Sequence, residues 1–362
     1  MKKLEETISV RRIYLMKTIK PIKITSKLTD QPVEKLTSAE MGKLWAVYMG
    51  NTMSKCVISF YLQHVNDKDI KEILKNALNL GNEFLKDIKK IFDSENFPIP
   101  IGFTEDDVNL GAPRLFADEF YLHYLKYAAK AGLSLYSTAI PLMLRQDVRD
   151  FILKCNQLTT DLLVTLNDTL KEKGFLTRPP VIPVPEKVEF VQKESYFNGF
   201  LGHVRPLHGL EIAHLYDNME NNSTSKVLLM AFGQVAKNEK VKNFMHRGKE
   251  ITMKHIEACR HQLNNEDLPA HPLLDDLLEN STFAPFSDKL MMFHKIDMFS
   301  MKIRSYANAS SLNGRHDIGA MYSKFLLDIG LYVQDGAKIF IDEGWMEKPP
   351  QAVDRDSMSS NN

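Results

Sequence analysis

Apolar residues return every three to four positions in long runs, the spacing of one helix face. The first run is Met41, Leu44, Trp45, Tyr48, Thr52, Cys56, Val57 and Phe60, preceded by Thr37-Ser38-Ala39-Glu40, which has capping-box spacing. A second run, Ile70, Ile73, Leu74, Ala77, Gly81, Phe84, Ile88 and Phe92, starts after a break at Asn66-Asp67 and ends before Pro98 and Pro100. A connection of roughly twenty residues follows, longer than most. Within it Thr104-x-x-Asp107 has the spacing to cap a short helix, although the acidic run Glu105-Asp106-Asp107 reads first as solvated loop. The third run is Phe116, Phe120, Tyr124, Tyr127, Ala131, Leu135 and Thr138, and Pro113 suits its first turn. The fourth is Val148, Phe151, Cys155, Leu158, Leu162 and Leu166, with Asp147 as its cap and Gly174 as a C′ stop. Four such helices predict an antiparallel bundle, and the long connection permits a crossover between its second and third members.

The pattern then breaks. Arg178-Pro179-Pro180-Val181-Ile182-Pro183-Val184-Pro185-Glu186 holds four prolines in seven positions, which no helix continues through. Beyond it the punctuation residues return in order. Glu40 matches Glu211, and Glu95-Asn96-Phe97-Pro98 matches Glu266-Asp267-Leu268-Pro269, both 171 positions on. Past the long loop the offset is 170: Phe116-Ala117-Asp118 with Phe286-Ser287-Asp288, Arg145-Gln146-Asp147 with Arg315-His316-Asp317, and Pro179-Pro180 with Pro349-Pro350. A register held over so many residues indicates an internal duplication. The expected organisation is an N-terminal arm over 1–35, a first bundle over 36–177, a joint over 178–206, a second bundle over 207–347 and a tail over 348–362. The joint is expected to be extended and stiff. Its Phe190, Tyr196, Phe197, Phe200 and Leu201 are expected to pack across the two bundles in a fixed arrangement.

Composition narrows the function classes. Of 362 residues, 44% are hydrophobic and 25% charged, as in a soluble globular protein. Lys plus Arg and Asp plus Glu both number 46, so no global charge calls for nucleic acid. No apolar run approaches the ~20 residues of a transmembrane helix. The arm is basic and reads as disordered, Met16 would serve as well as Met1 for a start, and the arm makes a poor signal peptide. A cytoplasmic or spore-associated location is expected. Cys56, Cys155 and Cys259 lack metal spacing and suit buried thiols in a reducing compartment. Phosphate loops, nucleophile elbows and zinc-finger spacings do not occur.

The candidate chemistry comes from comparing the two copies. Phe84 becomes His255, Tyr124 becomes His294, Tyr127 becomes Asp297 and Leu158 becomes Asp328. Glu211 and His214 add an i,i+3 pair on the first helix of copy two. Counted along ~1.5 Å rises, His255, Asp297 and Asp328 fall near mid-bundle, with His294 one turn from Asp297 and Glu211 nearer an end. In one reading these six residues include the ligands of a carboxylate-bridged site for Fe, Mn or Zn. That pattern wants Glu-x-x-His on two helices, and this chain has one, Glu211-Ile212-Ala213-His214. In the other reading they hydrogen-bond one another and groups such as Arg304, Asn308, Asn222 and Ser223, fixing how helices pair.

The chain resembles the two-repeat Bacillus proteins catalogued as domain of unknown function 3231, ferritin-like and related to spore coat proteins. The resemblance rests on Glu95 to Thr104, the joint from Arg178 to Phe190, Phe286 to His294, and Gly344-Trp345 through Pro350. It covers about Leu36 to Arg355. It implies a ferritin-like bundle in each half and an association with sporulating bacteria. It supplies no activity and no catalytic residues. Three functions stand as expectations: a non-enzymatic, spore-coat-like structural or interaction protein that meets other coat proteins or itself; a metal-binding bundle, with an oxidase as its extreme; and a bundle that takes a small apolar ligand.

Overall fold

The computed structural model describes residues 35–312 and 314–355. The predicted arm, apart from Lys35, and the end of the tail lie outside them. Eight long helices carry the described chain: α1 Ser38–His64, α2 Lys68–Ser94, α3 Asp118–Ala139, α4 Gln146–Glu172, α5 Gly209–Val235, α6 Glu239–Asn264, α7 Asp288–Leu312 and α8 His316–Asp342. Among the described residues, extended backbone pairs only in isolated bridges. None of these helices is long and apolar enough to cross a membrane. The chain is all-α, a tandem duplication of a four-helix bundle.

Local chemistry sets the helix ends. Thr37 and Glu40 form the capping box of α1, while Asp67 accepts from Asp69 and Ile70 at the start of α2. In copy two, His208 and Glu211 make the corresponding box, and Asn238 caps α6. Gly174 and Gly344 follow α4 and α8 with φ of 75° and 71°, a conformation open to glycine at no steric cost. Thr104 does cap a short 3₁₀ turn at Glu105–Asp107, and Asp107 is buried rather than solvated. Two predicted starts move. The third helix opens at Asp118, not near Pro113, because Phe116 is held extended by a bridge to Leu278 in the other repeat. Arg145, not Asp147, is the N-cap of α4; Asp147 lies in the first turn and takes the Arg145 guanidinium at 2.7 and 2.8 Å.

The order of the ends resolves the topology. Asp118, opening α3, accepts from the backbone of Asn66 and Asp67 between α1 and α2 (3.0 and 2.7 Å). At the opposite end, Glu40 of α1 accepts from Leu144 and Arg145 (2.9 and 2.8 Å), and Arg145 pairs with Glu95 just past α2. Helices α2 and α3 therefore begin at one end and run parallel, so residues 95–117 traverse the bundle. Copy two repeats each contact. Asp288 takes Lys237 and Asn238, Glu211 takes Gly314 and Arg315, and Arg315 pairs with Glu266.

The two crossover segments meet each other, and their contacts come in exchanged pairs. Val108 bridges Phe286 while Phe116 bridges Leu278. Asn109 N–H donates to Pro285 (2.8 Å) as Glu279 N–H does to Leu115 (3.0 Å). Ala117 donates to Leu277 (2.9 Å) as Ser287 does to Asp107 (3.0 Å). Each bond maps onto its partner when the copies are swapped, the signature of an isologous interface inside one chain. Helices α3 and α7 face each other at the pseudo-two-fold, flanked by the equivalent pairs α3–α5 and α1–α7. The end of each repeat reaches the other: Tyr216 Oη donates to Thr177 O, and Glu347 accepts from Ile101 and Gly102.

The joint departs from expectation. It is extended, but Phe190, Phe200 and Leu201 are 81%, 67% and 83% exposed. Phe197 is also exposed, beside His316, and Tyr196 alone is half-buried, under the Arg205 guanidinium. The repeats are fixed by their own interface and not by these rings.

Candidate functional site

The interior of α5–α8 carries a chain of polar contacts where the first bundle is apolar. His255 is buried on α6, its ring stacked on Phe325 at 3.9 Å. Its Nδ1 lies 3.1 Å from Tyr306 Oη and its Nε2 lies 3.3 Å from Asp328 Oδ2. Tyr306 Oη donates to Asn222 Oδ1 (3.1 Å). Asn218 donates to Tyr322 Oη (3.3 Å) and accepts from Ser305 (2.7 Å). Burial, and then the neighbouring Lys302 charge, push the His255 imidazole down to about 4 against the pull of Asp328, so the ring is neutral at pH 7.

Two residues missed in the sequence lie in the same interior. Lys295 and Lys302 replace Leu125 and Gly132, and both are buried. Lys295 Nζ donates to Ser225 Oγ at 2.8 Å and Lys302 Nζ to Thr252 Oγ1 at 3.2 Å. They flank the Phe299 ring at 5.1 and 4.4 Å. No carboxylate among the described residues pairs with either. Burial brings the Lys295 ammonium down to about 7, and burial together with Lys295 holds Lys302 well below the lysine range. The repeat comparison held this signal, but a lysine on a helix is read by default as solvated.

Of the six predicted residues, the structure joins His255 to Asp328 and disperses the rest. Glu211 is at the end of the bundle, fully buried, where it accepts from Arg205 through both oxygens at 2.8 Å and from the backbone of His208, Gly314 and Arg315. Burial opposes its charge, but these donors win and draw its carboxyl down to about 2. His214, one turn on, is half-buried, and burial lowers its pKa. His294 points out of its own bundle to Tyr124 Oη at 3.1 Å, the residue it replaces in the other copy. Asp297 is half-buried on the same interhelical face, and burial raises its pKa against the pull of Arg304.

As a metal centre the set is half complete. A separation of 3.3 Å suits two neighbouring ligands on a tetrahedral ion with bonds near ~2.0–2.1 Å. Among the described residues, no group of three His, Cys, Asp or Glu side chains converges. Cys56, Cys155 and Cys259 are free and buried, their thiols raised by burial.

A crystal structure of a candidate spore coat protein from Bacillus halodurans C-125 is similar at 19% identity and a TM-score of 0.37, covering 41% of this chain and 98% of that one. No curated protein matches the chain. The profile described as "Protein of unknown function (DUF3231)" matches residues 24–188 and again 196–358, and the chain belongs to that family, which it carries twice.

Proposed function

We propose that the chain acts as a structural or interaction protein of the spore-coat kind, not as a catalyst. One observation carries this reading. On a body whose two repeats are already locked together, Val181, Val184, Val188, Phe190, Phe200 and Leu201 of the joint are each more than half exposed. Apolar surface gathered on one segment marks a place where another chain sits. The test replaces Val184, Val188, Phe190, Phe200 and Leu201 with serine. Sedimentation velocity of the full chain, alone and mixed with extracted coat proteins, should show association of the parent and its loss in the variant. Helical circular dichroism should be equal in both. A parent that sediments as a monomer in both settings ends this reading.

A second reading, a metal-binding bundle, is favoured by the contact between His255 and Asp328. The neutral imidazole is a competent ligand, and Asp328 is 34% exposed at its side chain. Metal analysis after purification without chelator from iron-, manganese- and zinc-supplemented cells tests it. Stoichiometric metal that is lost in His255→Ala/Asp328→Ala supports it; a metal-free parent removes it.

A further inference from the structure

A cleft of about 620 Å³ lies where α3, α5 and α7 come together beside the pseudo-two-fold. Arg304 stands in its wall. It replaces Ser134 of the first repeat and meets it across the interface, Arg304 Nε donating to Ser134 Oγ at 2.7 Å. Arg304 Nη1 donates to Ser300 Oγ at 2.9 Å. These bonds use two of the five N–H donors of a guanidinium and cancel none of its charge. The other donors find no acceptor among the described residues, and no carboxylate among them forms an ion pair with Arg304.

The charges around the cleft do not balance. On the α3–α5 side, Lys126 and Lys130 are matched by Glu220 and Asp217, a neutral network that selects nothing. Ile296 and Met49 stand at the equivalent places across the pseudo-two-fold, so this network takes the place of apolar packing between helices. Asp297, half-buried about two turns before Arg304, attracts it without pairing, and burial opposes the charge of its carboxyl. From α1, Lys43 Nζ reaches Thr138 Oγ1 in the cleft wall at 3.5 Å, and burial and then the Arg304 charge lower its pKa. Arg304 and Lys43 together outweigh Asp297, so the cleft is left electropositive.

The neutral groups in the wall divide by role. Ser134 Oγ accepts from Arg304 and keeps its own O–H to give. Ser137 Oγ gives its proton to Ser134 O at 3.4 Å, and Ser305 Oγ gives its proton to Asn218 Oδ1 at 2.7 Å, so both present lone pairs. Asn308 is exposed and offers a donor and an acceptor from one carboxamide. Donors thus gather at Arg304, and acceptors lie in the same wall. The complementary molecule carries an oxyanion and several hydroxyls.

We infer that this cleft binds a small polyhydroxylated oxyanion, a sugar acid or a sugar phosphate, with its anionic group on Arg304 and Ser134 and its hydroxyls on Ser137, Ser305 and Asn308. The guanidinium fork suits either oxyanion through paired N–H bonds. The inference is independent of how the joint meets other chains and of any metal at His255.

Titration calorimetry of the full chain tests it, with glucuronate, galacturonate, glucose 6-phosphate and fructose 6-phosphate as ligands. Glucose, acetate and inorganic phosphate are the controls. At least one sugar anion should bind, one per chain, and about tenfold or more tighter than every control. Whether it is an acid or a phosphate identifies the oxyanion. Arg304→Met should reduce that ligand to the level of glucose. Asp297→Asn, which removes the opposing acid, should tighten it by a few-fold. Ala307→Trp, which fills the cleft from α7, should abolish binding. Should Arg304→Met fail to fold, the ligand series on the parent and the other two variants still decide. Absence of binding, a control that binds as tightly as the sugar anions, binding unchanged by Ala307→Trp, or weaker binding in Asp297→Asn would each overturn it.

Discussion

The two bundles share end clamps, helix order and crossover path, yet differ inside. Where the first has Phe84, Leu125, Gly132 and Leu158, the second has His255, Lys295, Lys302 and Asp328. Frame and filling are separable. Buried caps and ion pairs at the ends specify which helix meets which. The interior then tolerates polar groups, provided hydrogen bonds or a shifted protonation state remove the cost of burying charge.

The sharpest way to break this contrast is through Lys295. Its folded ammonium loses its proton near pH 7, the unfolded one near 10.5. Between those values the unfolded chain binds the extra proton, so stability should rise with pH, by on the order of 5 kcal/mol over the window. Lys295→Met, which returns the apolar character of Leu125, should stabilise the chain at pH 7 and flatten the rise. Urea denaturation across that range measures both; equal slopes in parent and variant would refute the assignment.

The clamps offer the next contrast. Glu211→Ala removes a fully buried carboxylate, leaving the half-buried Arg205 without its counter-charge and three backbone donors unpaired, and should cost about 3–5 kcal/mol. Glu40→Ala leaves backbone donors unpaired but, among the described residues, no equivalent arginine, and should cost about 1–3 kcal/mol. Equal losses in denaturant midpoints would show that Arg205 adds nothing.

A smaller effect follows from His255, whose folded proton affinity lies about 4 against 6.5 for the free ring. As pH falls through that interval the unfolded ring is protonated and the folded one is not. Stability should therefore drop by about 3 kcal/mol between pH 6.5 and 4. His255→Phe, the residue of copy one, should remove that component from the acid limb of a thermal melt series.

The smallest expected difference is none at all. Gly174→Ala and Gly344→Ala each force a side chain into the left-handed region and should cost about 1 kcal/mol apiece. Unequal melting shifts would mean the two C′ caps are not equivalent.

Much of the frame was legible because caps, breaks and clamps are local or repeat at a constant offset. The start of α3 was not, since the extended backbone before Asp118 is held by the other repeat's loop, a contact far away in sequence. The joint's rings were misjudged because apolar composition does not say what covers it. Of the candidate residues, His208-x-x-Glu211 could have been read as the counterpart of Thr37-x-x-Glu40, which places Glu211 in a cap. The fate of His294 could not have been read, because its partner comes from the facing repeat. The buried stretch Asn221-Asn222-Ser223-Thr224-Ser225-Lys226 looks solvent-facing by composition, and it lies inside because α5 packs on both bundles and under the second crossover.

The pairing of Tyr124 with His294 has a wider consequence. In an assembly of identical chains, a residue on the symmetry axis must meet its own double, so every change there is made twice. Joining both halves in one polypeptide lifts that restriction. A phenol can face an imidazole, and Lys126 can meet Glu220 on one flank while Ile296 and Met49 stay oily on the other. Each half then encodes a preference for its unlike neighbour over itself. Severed at the joint, the halves should recombine as a mixed pair and not sort into two uniform ones.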